Sequence, residues 1–156
     1  MSYTVQVGDV LPHFRSLTGL RAWRVSLGVG SFVTANFGSP VKDSLGSTHG
    51  EYYLWVYEGQ WLLSRGTTEL TNSNKSRPHM QQGIRELEGA SLAAARIDAS
   101  DLSLTLAFDG DLQLKVTPTG DPEAELWMLY LPDGDVVTAG PDGKLVREAG
   151  AGDKDA

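Results

Sequence analysis

Leu102-Ser103-Leu104-Thr105-Leu106-Ala107-Phe108-Asp109-Gly110-Asp111-Leu112-Gln113-Leu114-Lys115-Val116-Thr117 is the stretch from which the rest of the chain is read. Large apolar residues occupy the even positions on both sides of Asp109-Gly110-Asp111, the period of two that belongs to half-buried strands. A two-residue turn would throw the second apolar set onto the opposite face of the first, so the parity requires a three-residue connection or a bulge, with Phe108 opposite Leu112. The chain therefore reads as antiparallel β structure at this point. Working outward, Glu125-Leu126-Trp127-Met128-Leu129-Tyr130-Leu131 is apolar on both faces, as in a strand covered on two sides or one whose second face meets a partner. Pro132-Asp133-Gly134 supplies a type I turn with glycine in the left-handed position, and Pro141-Asp142-Gly143 repeats the composition, so residues 125–147 form a three-stranded meander.

The N-terminal half has the same texture. Trp23, Val25 and Leu27 share one parity, Gly28-Val29-Gly30 turns the chain, and Ser31 to Phe37 returns. Residues 39–50 read as a loop, after which Glu51 to Tyr57 and Gln60 to Arg65 read as a hairpin through Glu58-Gly59. One helix is expected after Ser76, with Pro78 in its first turn, Met80, Ile84 and Leu87 at helical spacing, and Gly89 closing it. The halves share an order of features: Leu17-Thr18-Gly19 against Leu87-Glu88-Gly89, and Phe37 to Trp55 against Phe108 to Trp127. This predicts a mainly β fold of two similar antiparallel four-stranded units, residues 17–66 and 87–147, stacked as a pseudo-duplicated sandwich or barrel-like roll. Residues 67–86 would be a helical linker, residues 1–148 one globular domain, and residues 149–156 a disordered tail with nothing to bury.

The chain has 156 residues, 18 glycines and no cysteine. Disulfides, cysteine-bound zinc and thiolate chemistry are thereby excluded. The formal charge is −7, divided unevenly: residues 1–86 carry eight Lys and Arg against six Asp and Glu, +2, and residues 87–156 carry five against fourteen, −9. Acidity of this kind disfavours nucleic acid and anionic membranes and favours a basic protein partner. No apolar run has the length of a membrane span, and Met1-Ser2-Tyr3-Thr4 lacks the signal-peptide pattern, which makes the cytoplasm the expected location.

No catalytic motif stands out, and the expected answer is not an enzyme. His13, His49 and His79 lie in separate contexts without metal-ligand spacing, and no cofactor or metal is expected. Ser31, His49 and Asp43 name a triad only on paper, since no nucleophile elbow frames a serine. Gly28-Val29-Gly30-Ser31 leads into a strand rather than a helix, so it is a turn and not a phosphate cradle. Glu51, Glu58, Glu123 and Glu125 are the carboxylates on or near strands, and sequence spacing does not give their separation. The twice-repeated Asp-Gly-Asp makes Asp109, Asp111, Asp133 and Asp135 the candidate contacts for a basic partner, and no twelve-residue calcium loop follows either copy. Tyr53, Trp55 and Trp61, in a segment with aromatics on both parities, are the second candidate surface, for a partner or a homodimer.

The segments Leu17-Thr18-Gly19, Gly30-Ser31-Phe32-Val33-Thr34-Ala35-Asn36-Phe37-Gly38, Gly50-Glu51-Tyr52-Tyr53-Leu54-Trp55 and Leu87-Glu88-Gly89 resemble small bacterial domains similar to immunity proteins of bacterial toxin systems. The resemblance implies a non-enzymatic inhibitor that occludes a toxin, often through an acidic surface, and it transfers no binding residue. A small-molecule-binding or hydrolytic roll with a pocket between the repeats, and a structural homo-oligomer, are the competing readings.

Overall fold

The computed structural model describes residues 1–43 and 45–150. In chain order its elements are β1 (Ser2–Val5), α1 (Val7–Leu17), β2 (Trp23–Leu27), β3 (Val33–Lys42), β4 (Thr48–Val56), β5 (Gln60–Arg65), β6 (Thr68–Asn72), α2 (Arg77–Ile84), β7 (Leu92–Ile97), β8 (Leu104–Phe108), β9 (Leu112–Thr117), β10 (Trp127–Tyr130), β11 (Val136–Ala139) and β12 (Leu145–Glu148). A 3-10 turn, Arg85–Leu87, prolongs α2. The strands form a seven-stranded sheet in the order β1-β12-β11-β10-β4-β3-β2 and a five-stranded sheet in the order β6-β5-β9-β8-β7. Every pairing is antiparallel, and neither sheet closes into a barrel.

The sheets face each other across one core in which Phe37, Leu54, Leu63, Leu104, Leu106, Trp127 and Leu129 are fully buried. Alternation explains their selection: β8 and β9 send Leu104, Leu106, Leu114 and Val116 inward on matched rungs, with Leu104 opposite Val116 and Leu106 opposite Leu114. Continuing that register by one pair sets Phe108 against Leu112, as the parity of the sequence requires. The connection is the three residues Asp109-Gly110-Asp111, with Gly110 and Asp111 both in the left-handed region. The meander of β10, β11 and β12 also forms, and Gly134 at φ 91° occupies the left-handed position of its first turn. The second turn differs from the first, because Asp142 as well as Gly143 has positive φ.

The route of the chain departs from two self-contained four-stranded units. After Leu17-Thr18-Gly19, β2, β3 and β4 lie side by side, and then β5 and β6 cross to the other sheet, where β5 pairs with β9. After Leu87-Glu88-Gly89, β7, β8 and β9 lie side by side, and β10 and β11 cross back, where β10 pairs with β4. Each sheet is thus built from both halves. The expected hairpin between Glu51–Tyr57 and Gln60–Arg65 does not form, since β4 and β5 belong to different sheets and the Glu58-Gly59 corner carries the chain across the sandwich.

Three further expectations are corrected. Among the described residues there are two α-helices: α1 contains Gly8 and Pro12, yet Val10, Phe14 and Leu17 bury one face and Asp9 Oδ2 accepts the Gln6 N–H at 2.8 Å. The linker 67–86 contains β6 before α2 begins, and Ser76 caps α2 by accepting the His79 N–H. The loop 39–50 is mostly strand, because β3 continues through Pro40 past a register shift between Phe37 and Pro40 and pairs with β4 as far as Lys42–Thr48. Of the expected tail, residues 151–156 lie outside the described residues, and Gly150 is buried against Gly134.

Candidate interaction surface

In β4, Leu54 and Val56 enter the core, so Tyr53, Trp55 and Tyr57 stand on the opposite face of the seven-stranded sheet. Register then assembles their neighbours. Tyr130 of β10 lies opposite Tyr53 and Met128 opposite Trp55. Phe32, from the turn before β3, sits 5.0 Å from Trp55 and 5.1 Å from Tyr57 in edge-to-face contacts. Tyr130 approaches Trp55 to 5.0 Å and Tyr53 to 6.1 Å, and the His49 ring stacks on Tyr53 at 5.6 Å. These separations lie in the attractive range for aromatic pairs.

The result is one cluster of six rings on a sheet face turned away from the core. Trp55 Nε1 and the Oγ1 of Thr138, which lies on the same rung through Met128, are buried without a hydrogen-bond partner among the described residues. Burial, followed by the charge of Glu125, pushes the Tyr130 phenol above its ordinary range.

Tyr53 and Trp55 are therefore brought together, but Trp61 is not with them. Trp61 is 2% exposed in the core, and its Nε1 donates to the Ser31 carbonyl at 2.8 Å, which ties β5 in one sheet to the turn before β3 in the other. Trp61 takes the odd parity of β5 opposite core-facing Val116, and parity across the corner at Glu58-Gly59 could not be carried over from β4. Tyr57, from the same aromatic segment, joins the surface, and Phe32, His49 and Tyr130 are added from outside that segment. Tyr130 did carry a signal, because the run 125–131 is apolar on both faces, as in a strand covered on two sides or one whose second face meets a partner.

The two Asp-Gly-Asp turns lie in different sheets and are engaged locally. Asp109 Oδ1 accepts the Ser91 N–H, and the Asp111 carbonyl accepts the Gly66 N–H. Asp133 and Asp135 both bind the Arg147 guanidinium, at 2.7 and 2.8 Å, and Asp133 also accepts the Asp135 N–H. Of the strand carboxylates, Glu58 accepts the Glu125 N–H and Glu51 accepts the Ser39 N–H, so both hold backbone.

Arg147 also lines an open polar cleft of about 370 Å³ with Tyr3, Thr4, Val5, Asp9, Val10, His13 and Val137. Partial burial first, and then the Arg147 charge, hold His13 below its ordinary pKa despite the opposing effect of Asp133. Between the sheets the void is about 10 Å³, room for about one water, and is lined by apolar residues such as Ala35, Leu54 and Leu106. The space between the two sheets is filled by side chains. Among the described residues, no group of three or more acidic or histidine side chains is placed to hold a metal. Comparison with family models, curated proteins and solved structures finds no match to the chain.

Proposed function

We propose that the chain is a non-enzymatic protein-binding module of the immunity-inhibitor kind, which anchors its partner on the aromatic face of the seven-stranded sheet. The observation that carries this reading is the cluster Phe32, Tyr53, Trp55, Tyr57 and Tyr130, contributed by the turn before β3, by β4 and the residue after it, and by β10, on the face the core does not use. Tyrosine and tryptophan give large, stiff contact area with a polar tip, the composition of interface hot spots. The C-terminal half at −9 adds long-range attraction for a basic partner, which raises encounter rates more than final affinity. Asp109 and Asp111 contribute to that field from the surface, whereas one of the two charges of Asp133 and Asp135 is offset by the single Arg147 guanidinium.

The internal repeat supports a duplicated origin for this scaffold. The equivalent strands are β2-β3-β4 with β7-β8-β9, and β5 with β10, which makes Trp61 rather than Trp55 the counterpart of Trp127. Both indoles donate across the sandwich to a carbonyl between the first two strands of a half, Trp61 to Ser31 and Trp127 to Leu102.

The test is capture by the purified protein, identification of the bound partner, and titration of that partner by calorimetry. Trp55→Ala and Tyr130→Ala should each weaken binding by tenfold or more, the loss expected at a hot spot. Asp109→Asn with Asp111→Asn should slow association and reduce its salt dependence while leaving dissociation unchanged. Retained affinity in both aromatic variants would remove the proposed surface.

A further inference from the structure

Each sheet has two edges, and three of the four are obstructed. At the β2 edge, Glu88 accepts the Arg24 and Val25 N–H groups at 2.9 and 2.8 Å, and Arg77 donates to the carbonyls of Leu27 and Gly28. At the β7 edge, Leu92 exchanges backbone bonds with Gly19 and Leu20, and a register shift follows between Leu92 and Ala94. The β6 edge carries a register shift against β5 and the charge of Glu69. Bulges, charges and covering groups are the usual means of keeping sheet edges from pairing.

The β1 edge has none of them. Ser2, Tyr3, Thr4 and Val5 pair with β12 in unbroken register, carry no charged side chain, and among the described residues receive no hydrogen bond on their free side.

We propose that β1 is a self-association edge, joined antiparallel to β1 of a second copy of this chain with Thr4 of one copy opposite Thr4 of the other. Register selects this arrangement. Tyr3 and Val5 share the core side of the sheet and Ser2 and Thr4 the outer side, so a two-fold that preserves the faces pairs residues of like parity. Centring it on Thr4 matches Tyr3 of each copy with Val5 of the other, giving one threonine pair and two aromatic with β-branched pairs, combinations that favour strand pairing. No like charges meet on the strand, as an isologous contact requires. The outer rung Thr34-Trp55-Met128-Thr138-Val146-Thr4 would continue into the second copy, uniting the outer faces of the two sheets. A basic partner strand is less suited to the edge itself, since β1 offers it no carboxylate.

Four residues bury far less than a standard interface of about 1,600 Å², so the dimer should be reversible and concentration-dependent. Because each copy carries −7, salt should strengthen it by screening, opposite in sign to the effect of salt on a basic partner. Sedimentation equilibrium of the full chain should show a monomer–dimer equilibrium that shifts toward dimer with added salt. Thr4→Lys, which sets two ammonium groups face to face, should weaken association at least tenfold while circular dichroism and the thermal midpoint stay unchanged. The chain has no cysteine, so Thr4→Cys introduces its only thiol, and directly opposed residues come within reach of a disulfide. Mild oxidation should give a covalent dimer for Thr4→Cys and not for the exposed control Ser100→Cys. A chain that stays monomeric at all concentrations, association unchanged by Thr4→Lys, or Thr4→Cys that cross-links no faster than the control would overturn the proposal. So would a dimer that forms only after deletion of residues 151–156, since the occupant of the edge would then be the chain's own end. Trp55→Ala should leave dimerisation intact, which separates this edge from the aromatic face proposed for the partner.

Discussion

Three tryptophans show how one residue type takes different roles. Trp61 and Trp127 are buried and each donates its indole N–H to a carbonyl of the opposing layer, whereas Trp55 stands on the outer face with an N–H that has no partner among the described residues. Trp61→Phe and Trp127→Phe should each lose about 1–3 kcal/mol in urea unfolding, since each strands a buried carbonyl. Trp55→Phe leaves no acceptor orphaned and should cost less than either. All three indoles were visible in the sequence, but side-chain parity across a corner was not, because a strand that changes sheet restarts its alternation.

His13 sets the pH behaviour at the same scale. Its pKa in the folded chain is lowered from 6.5 by burial and then by Arg147, so the unfolded chain takes up the proton first. Stability from this group is fully present above pH 6.5 and falls as the pH drops from there toward the lowered folded value. Denaturation midpoints measured from pH 7.5 down to pH 5 should decline, and His13→Asn should flatten that part of the profile. An unchanged slope in the variant would assign the decline to other groups.

At the scale of elements, the strands were the most legible part. The period-two runs of β8 and β9, the meander from β10 to β12 and the β2–β3 hairpin follow from apolar alternation and turn chemistry alone. The first helix was hidden because Gly8 and Pro12 argue locally against it, and its three buried residues, Val10, Phe14 and Leu17, prevail through tertiary packing into the common core, where Phe14 meets Trp127 edge-on at 5.6 Å. The guard on the β2 edge was equally invisible, since Glu88 reaches Arg24 and Val25 from more than 60 positions away. Glu88→Ala should cost about 1–3 kcal/mol, because two backbone donors lose a charged acceptor, and should promote aggregation through the opened edge. Urea unfolding checks the first effect and light scattering at raised concentration the second.

At the scale of the whole molecule, the halves are interleaved rather than stacked. Since β5 completes a sheet begun by β7, β8 and β9, and β10 one begun by β2, β3 and β4, neither half has a finished core. Fragments 1–74 and 75–156 should each be unfolded by circular dichroism and should regain β structure when mixed. Independent folding of either fragment would contradict the exchange.

The sequence by itself determined the β class, the positions of most strands and turns, the uneven charge and the exclusion of thiol chemistry, because these rest on composition and on contacts within a few residues. Tertiary structure alone decided which sheet each strand joins, which tryptophans are pins and which faces outward, and that Asp133 and Asp135 are held by Arg147. Those outcomes depend on pairings between residues distant in sequence. Local alternation says only that a strand has an inside and an outside, and the partner strand decides which core the inside meets.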